Sequence, residues 1–205
     1  YGILWMGALY YLNFARIEYV IAADTHSKSF LINKLGSKKI WDFSLIAFFS
    51  LLTGSVFLYF YLLQPVTTTE IILGSIIGTL MMLNLWGIIW KNQKIIIDQK
   101  EGDVVAAVRN SSLASRTNTL FSFPMLYFMI SSIHSPAKSY FLGAPATGID
   151  PGYLGIDFLI VCLALFLIEL NVIYGKMYLF ISTAGGVLTS SLVLTIVFLG
   201  LGLYA

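Results

Sequence analysis

Six long apolar stretches recur along the chain, and polar and charged residues are concentrated between them. Each stretch is close to the roughly 20 residues that cross a bilayer as a helix. The strict alternation of apolar and polar residues that a membrane barrel requires is not present. Because a backbone in lipid must satisfy its own hydrogen bonds, the pattern predicts an all-α, polytopic membrane helix bundle. The predicted bundle has about six transmembrane helices, over residues 1–22, 43–64, 70–90, 117–134, 153–174 and 179–204.

Composition supports this class of protein. Of the 205 residues, 58% are hydrophobic and 11% are charged, whereas about a quarter of the residues in soluble domains are charged. We therefore expect a single integral membrane domain over residues 1–205. Tyr1 already lies within apolar sequence, so we expect the N-terminus to be incomplete. The net charge is only +2, and the basic residues are spread over the connections. Nucleic acid is therefore not an expected partner.

The basic residues predict an orientation in the membrane. The chain has twelve: five between residues 15 and 42, five between 91 and 116, Lys176, and Lys138 on the opposite side. Connections rich in Lys and Arg stay in the cytoplasm, which places eleven of the twelve on the cytoplasmic side.

Two of the connections also have a composition that predicts their own structure. Residues 98–116 carry an apolar stripe at Val104, Val105 and Val108 that predicts a short interfacial helix, and the Pro- and Gly-rich residues 135–153 predict an irregular outer loop.

Two tryptophans lie at the predicted cytoplasmic end of the third span. Trp86 and Trp90 are one helical turn apart and share a face. Lys91 and Lys94 follow them and can extend to lipid headgroups. We interpret this pattern mainly as an aromatic belt at the membrane–water interface. The alternative is that the Trp, Asn92 and Gln93 cluster belongs to a functional site.

Polar residues inside the spans require partners. Asn84 lies in the third span, and we expect its partner on another helix, as structural glue rather than as a catalyst. Glu169, in the fifth span, is an intramembrane carboxylate, which is costly and often functional. It can form an ion pair or carry protons, and the ion pair is favoured. Asp157 lies near the outer surface, where water can solvate it. The candidate ion-pair partners of Glu169 are Arg16, Arg116 and Lys176.

Helix packing is indicated by small residues and by a proline. Gly74 and Gly78 form a GxxxG motif, whose small residues let a neighbouring helix approach closely. Pro124 predicts a kink in the fourth span, where a nearby Ser or Thr can satisfy the carbonyl that loses its N–H partner.

Metal-binding residues are few. Cys162 is the single cysteine, which excludes an internal disulfide, a CxxC metal site and a CxxCH haem attachment within these residues. His134 ends the fourth span near the predicted outer face. It is either a solvated helix-end residue or an axial haem ligand. The other histidine, His26, is predicted on the opposite side, so the residues alone favour the solvated histidine.

Three stretches in order, "GILWMGALYYLNF", "LNLWGIIWKNQKII" and "RTNTLFSFPMLYFMISSIH", carry a family resemblance over about residues 2–136. Together they resemble the membrane domain of the bacterial urate hydroxylase family, also called the urate oxidase N-terminal family. Lys91 stands where the family pattern has Pro. The family pattern is matched by Gly2, Trp5 and Gly7, by Trp90, Asn92 and Gln93, and by Arg116, Pro124 and His134.

The resemblance implies a location, a cofactor and a partner. The location is the bacterial inner (cytoplasmic) membrane. His134 becomes a candidate ligand of b-type haem, with the second axial histidine just upstream of Tyr1. Family proteins often carry a c-type cytochrome domain. Since no CxxCH occurs here, that haem would belong to a separate chain or a lost terminus. Asn92 and Gln93 become a candidate corner of the site.

Three functions remain open at this point. The first is a membrane redox subunit that passes electrons to an outside c-type cytochrome, in an oxidoreductase system acting on urate or a similar small molecule. The second is a non-catalytic structural subunit among other membrane subunits of a respiratory or other energy-converting complex. The third is a small transporter with Glu169 as proton carrier, ranked last because no inverted repeat is visible.

Overall fold

The chain forms helices over most of its length, as the sequence predicts. The computed structural model describes residues 2–11, 25–63, 67–98, 104–134, 140–142 and 156–204. A π-helical segment, Asn84–Ile89, joins α3 to α4 without interruption. The helices are α1 Gly2–Tyr10, α2 Thr25–Leu62, α3 Thr69–Leu83, α4 Trp90–Asp98, α5 Val104–His134, α6 Ile156–Tyr174, α7 Leu179–Ser182 and α8 Ala184–Tyr204.

Several helices have the length and apolarity that a membrane span needs. Within the described residues three reach it: Trp41–Leu62, Thr69–Ile96 and Ala184–Leu201. Phe158–Tyr174 is a shorter apolar helix. These helices are compatible with an integral membrane protein. The second half of the first predicted span, residues 12–22, lies outside the described part of the chain.

Two helices begin well before the apolar segments that predicted them. α2 is 38 residues long and begins at Thr25, although the apolar segment begins near residue 43. The expected separate interfacial helix near Val104 is wrong, because these residues form the first turns of α5. Val105 is 80% exposed there. Neither polar extension contains proline, so the hydrogen-bonded ladder continues through it.

α3, the π segment and α4 pack against α5 as an antiparallel hairpin. A Cβ added to Gly74 would lie 3.0 Å from Met129 Cγ, and one added to Gly78 would lie 3.7 Å from Met125 Sδ. The predicted close approach at the GxxxG motif is therefore confirmed. It brings together the facing surfaces of α3 and α5 near the end of the bundle that carries His134.

α5 is the central helix of the bundle. It contacts α1, α3, α4, α6 and α8, whereas α2 lies at the side against α1, α3 and α4. The core around α5 is closely packed, and its fully buried side chains include Ile77, Met81, Leu85, Phe121 and Leu165. α2 exposes large apolar side chains such as Phe57 and Phe60, a face that is compatible with lipid contact.

A short two-stranded pairing joins two of the connections. β1, Thr67–Thr68, pairs antiparallel with β2, Tyr140–Leu142. Residues 140–142 lie in the connection that was expected to be an irregular loop. The rest of that connection, up to residue 155, lies outside the described residues.

Candidate functional site

The candidate site is built around a widened helical turn in the middle of the bundle. In the π segment the Trp90 N–H donates to the Leu85 carbonyl five residues earlier, instead of four. Such π-helical turns interrupt the regular α ladder and are frequent at functional sites. Asn84 is the first residue of this segment and is completely buried. The segment therefore presents a polar side chain inside an otherwise apolar span.

Asn84 connects three parts of the bundle through its amide nitrogen. Its Nδ2 donates to Asn118 Oδ1 of α5 and to Glu169 Oε2 of α6, each over 3.1 Å. Asn118 is also completely buried, and its Nδ2 donates to the Met81 carbonyl over 2.9 Å. The prediction that Asn84 has its partner on another helix is confirmed, with one partner on each of two helices.

The oxygen of the Asn84 carboxamide, unlike its nitrogen, lacks a hydrogen-bond partner among the described residues. Asn84 Oδ1 is buried and accepts no hydrogen bond from any described residue. A buried acceptor without a donor costs about 1–3 kcal/mol, and a charged carboxylate has no donor to offer it. This oxygen is the main unexplained chemical feature of the site.

Glu169 has an amide partner in the described structure, in place of the ion pair that the sequence favoured. Of the cations considered, Arg16 lies outside the described residues. The Lys176 backbone N–H donates to Asn171 Oδ1 over 3.3 Å, in the turn that follows α6. Arg116 is half-buried on α5, two residues before Asn118. The Glu169 carboxyl thus accepts a hydrogen bond from the Asn84 carboxamide, which is itself bonded to Asn118.

Asn92 and Gln93 hold the end of the hairpin in place. Asn92 Nδ2 donates to the Ile88 carbonyl over 2.7 Å, within its own helical run. Gln93 Nε2 donates to Ser111 Oγ over 3.0 Å and so ties α4 to α5. The Gln93 contact fixes the register of α4 against α5, whereas the Asn92 contact stays within one helical run. Neither residue joins the Asn84 cluster.

Three tryptophans form an aromatic group where the π segment and α4 meet α2. Trp41 and Trp86 are exposed, and Trp90 between them is half-buried. The rings of Trp86 and Trp90 stack with centroids 6.0 Å apart, and Trp41 meets Trp90 edge-on at 4.9 Å. Lys94 Nζ lies 5.0 Å from the centre of the Trp90 ring, within range of a cation–π contact. An exposed aromatic group with an adjacent lysine agrees with the aromatic-belt interpretation.

His134 is the last residue of α5, and its side chain is exposed. It lies sixteen residues beyond Asn118, which is about 24 Å along a helix. Among the side chains that the structure describes, it is the only imidazole. No group of three or more His, Cys, Asp or Glu suited to a metal ion occurs in the described residues. The predicted site residues therefore lie in three separate places. Asn84 and Glu169 are in the buried cluster, the tryptophans and Gln93 are at the end of the hairpin, and His134 is at the end of α5.

Sequence reasoning missed Asn118, which completes the buried cluster. The available signal was a polar residue inside an apolar span, in "RTNTLF". Three polar residues stand together there, Thr117, Asn118 and Thr119, and all three are buried. Only the register of the hairpin selects which of them faces Asn84.

These features define a membrane-type helix bundle with a buried polar cluster and an exposed terminal histidine. The urate oxidase N-terminal family matches residues 28–141, which is more than half of the chain, and the protein belongs to this family. The matched residues include Asn84, Asn118 and His134, whereas the motif at residues 2–14 precedes them. Comparisons with curated proteins and with solved structures gave no match.

Proposed function

We propose that this chain is the membrane part of a redox system of the urate hydroxylase type. In this proposal His134 binds b-type haem, and electrons pass to a c-type cytochrome outside the membrane, in the oxidation of urate or a similar small molecule. Family membership over residues that include His134 is the observation that carries the proposal.

The position of His134 suits an axial ligand. The imidazole is exposed at the end of α5, so a ligand can approach its ring nitrogens. α5 itself is held close to α3 at Gly74 and Met129, less than two turns before its end. A ligand on a firmly packed helix keeps its geometry better than one on a loop. His134 can therefore hold and orient a group bound beside the bundle end.

α1 offers a route to a second ligand. The Tyr10 hydroxyl and Ser122 Oγ are 2.8 Å apart, which joins α1 to α5. Consecutive spans alternate in direction, so α1 runs opposite to α5 and its N-terminal side approaches His134. Tyr10 to Gly2 rises about 12 Å, and Ser122 to His134 about 18 Å. A histidine a few residues before Tyr1, as in the family pattern, would lie level with His134.

The described residues fit part of the ligand set that such a haem would need. His134 would bind the iron through an imidazole nitrogen, and a second donor would come from outside the described residues. Bound haem supplies reversible one-electron transfer at a potential set by its axial ligands and by burial. The chain's own contribution is to orient His134 and to exclude water with the apolar side chains of the bundle.

A reduced-minus-oxidised optical spectrum of the purified full-length protein, with a pyridine haemochrome assay, tests the proposal. We expect a b-type signal that is lost in His134→Ala. His26→Ala is the matched control, since it removes the other histidine, which lies at the N-terminal end of α2, and it should retain the signal. Far-UV circular dichroism of each variant checks that the helices remain.

The absence of haem from well-folded, full-length protein would overturn the redox proposal. So would a signal that survives in His134→Ala. The protein would then be understood as a structural subunit of a larger energy-converting complex, and copurification would identify its neighbours.

A further inference from the structure

The Glu169 carboxyl and the Asn84 carboxamide meet in the interior of the bundle. One carboxyl oxygen, Oε2, accepts a hydrogen bond from Asn84 Nδ2 over 3.1 Å. Asn84 is completely buried, and Glu169 is partly buried on α6. The two planar groups thus already share one of the two hydrogen bonds that a carboxylic acid and a primary amide can form with each other.

One polar atom of the Asn84 side chain, the oxygen Oδ1, lacks a hydrogen-bond partner among the described residues. The two N–H groups of Nδ2 are used, because they point to Asn118 and Glu169. Oδ1 is buried and has no donor among the described residues. An ionised carboxylate has only acceptors, whereas a protonated one has an O–H donor. A proton on Glu169 would supply the donor that Oδ1 lacks.

We propose that Glu169 binds a proton inside the bundle and donates it to Asn84 Oδ1, so that the two side chains form a closed acid–amide pair. The proton resides on the carboxyl oxygen that does not accept from Nδ2, and no electron is transferred. Two energetic costs are removed together. The charge of a carboxylate inside a membrane span is neutralised, and the buried oxygen of Asn84 gains its hydrogen bond.

The elements that pack against α6 are α3, α5 and α8. Their charged residues are Glu70 on α3 and Arg109 and Arg116 on α5, and Lys176 follows α6 in the chain. The hydrogen bond to the Glu169 carboxyl comes instead from the uncharged Asn84 amide. A proton on the carboxyl would neutralise it at this contact.

The pair defines a proton-binding site separate from any haem at His134, from which it is more than 20 Å away along α5. A rearrangement that separates the two side chains would release the proton, and its reversal would take the proton up. The inference does not depend on the redox proposal, since it rests on Asn84 and Glu169 alone.

Infrared spectroscopy of the purified full-length protein in lipid at neutral pH tests the inference directly. A protonated carboxylic acid has a C=O stretching band that is separate from the carboxylate bands and shifts in deuterium oxide. We expect Glu169→Gln to remove one such band. Asp42→Asn, which neutralises an exposed carboxyl on α2, is the matched control and should leave the band unchanged. Loss of a carboxylate band in Glu169→Gln instead would overturn the inference.

A second variant tests the pairing itself. In Asn84→Ala the acid loses both of its amide contacts, so its C=O band should shift to higher frequency. Asn92→Ala, which removes a carboxamide bonded only within its own helical run, should not shift it. An unshifted band in folded Asn84→Ala would contradict the acid–amide pair. This result is independent of the haem spectrum, so failure of one proposal is distinguishable from failure of the other.

Discussion

Ser191 of α8 donates a hydrogen bond of 2.6 Å to the Leu120 carbonyl, which is the acceptor that Pro124 leaves without a helical N–H. The same hydroxyl accepts a hydrogen bond of 3.4 Å from the Phe123 N–H. Ser191 is completely buried. A buried backbone group that proline deprives of its helical partner must find another one. The predicted compensation at Pro124 is confirmed, and it comes from the last helix of the chain.

Ser191→Ala should lower the free energy of unfolding by about 1 kcal/mol, the usual scale of an interhelical hydrogen bond in a membrane protein. The loss arises because the Leu120 carbonyl is left buried without its donor. Reversible unfolding in mixed micelles measures it. Thr189→Ala is the matched control, since that hydroxyl is exposed and bonds to the Gly185 carbonyl of its own helix. It should change stability less.

A double-mutant cycle with Pro124→Ala tests the physical reason for this cost. Alanine restores the N–H that the Leu120 carbonyl accepts in a regular helix. Ser191→Ala should therefore cost less in the Pro124→Ala background than in the native chain. Strictly additive effects of the two substitutions would show that Ser191 does not compensate for the proline.

Asn84→Ala should be among the most damaging polar-to-alanine substitutions in the bundle. It removes the hydrogen bonds to Asn118 and Glu169, which join the π segment to α5 and α6. We expect a loss of about 1–3 kcal/mol in the free energy of unfolding. Asn92→Ala deletes the same side chain at a position bonded only to the Ile88 carbonyl. Equal losses for the two variants would argue against the cluster as an interhelical tie.

The sequence predicted the helical class and the need for partners, but not the partners themselves. Asn84 stood out because an amide in an apolar span is costly. Its pairing with Asn118 depends on the register of the α3–α5 hairpin, which no local pattern encodes. The π segment was also invisible, since "NLWGII" has the composition of an ordinary membrane helix. The extensions of α2 and α5 were missed because hydropathy locates the lipid-facing part of a helix and not its end.

The two glycines of the GxxxG motif should respond differently to alanine. At Gly74 the added Cβ would lie 3.0 Å from Met129 Cγ and 3.4 Å from the Met129 backbone nitrogen. The side chain can move, but the backbone cannot, so we expect a loss of about 1–3 kcal/mol from overpacking. At Gly78 the nearest atom is Met125 Sδ at 3.7 Å, an ordinary contact. Gly78→Ala should be neutral or gain up to about 1 kcal/mol from helix propensity. Thermal unfolding of the two variants in one detergent compares them, and a larger loss at Gly78 would contradict the observed packing.

Single-tryptophan variants should separate lipid-facing from buried indoles. Trp86 is 44% exposed, on the side of the bundle where it stacks on Trp90, whereas Trp5 of α1 is 5% exposed in the core. If the exposed side contacts lipid, brominated lipids should quench a chain that retains only Trp86 and should have little effect on one that retains only Trp5. The physical reason is that contact quenching requires the lipid bromine atoms to approach the indole ring. Strong quenching of Trp5 would contradict the packing of α1 in the core. Protection of Trp86 in the purified chain, with Trp5 also protected, would instead mean that a second protein surface covers the aromatic group. That result would favour the structural subunit over a bundle whose Trp86 side is open to lipid.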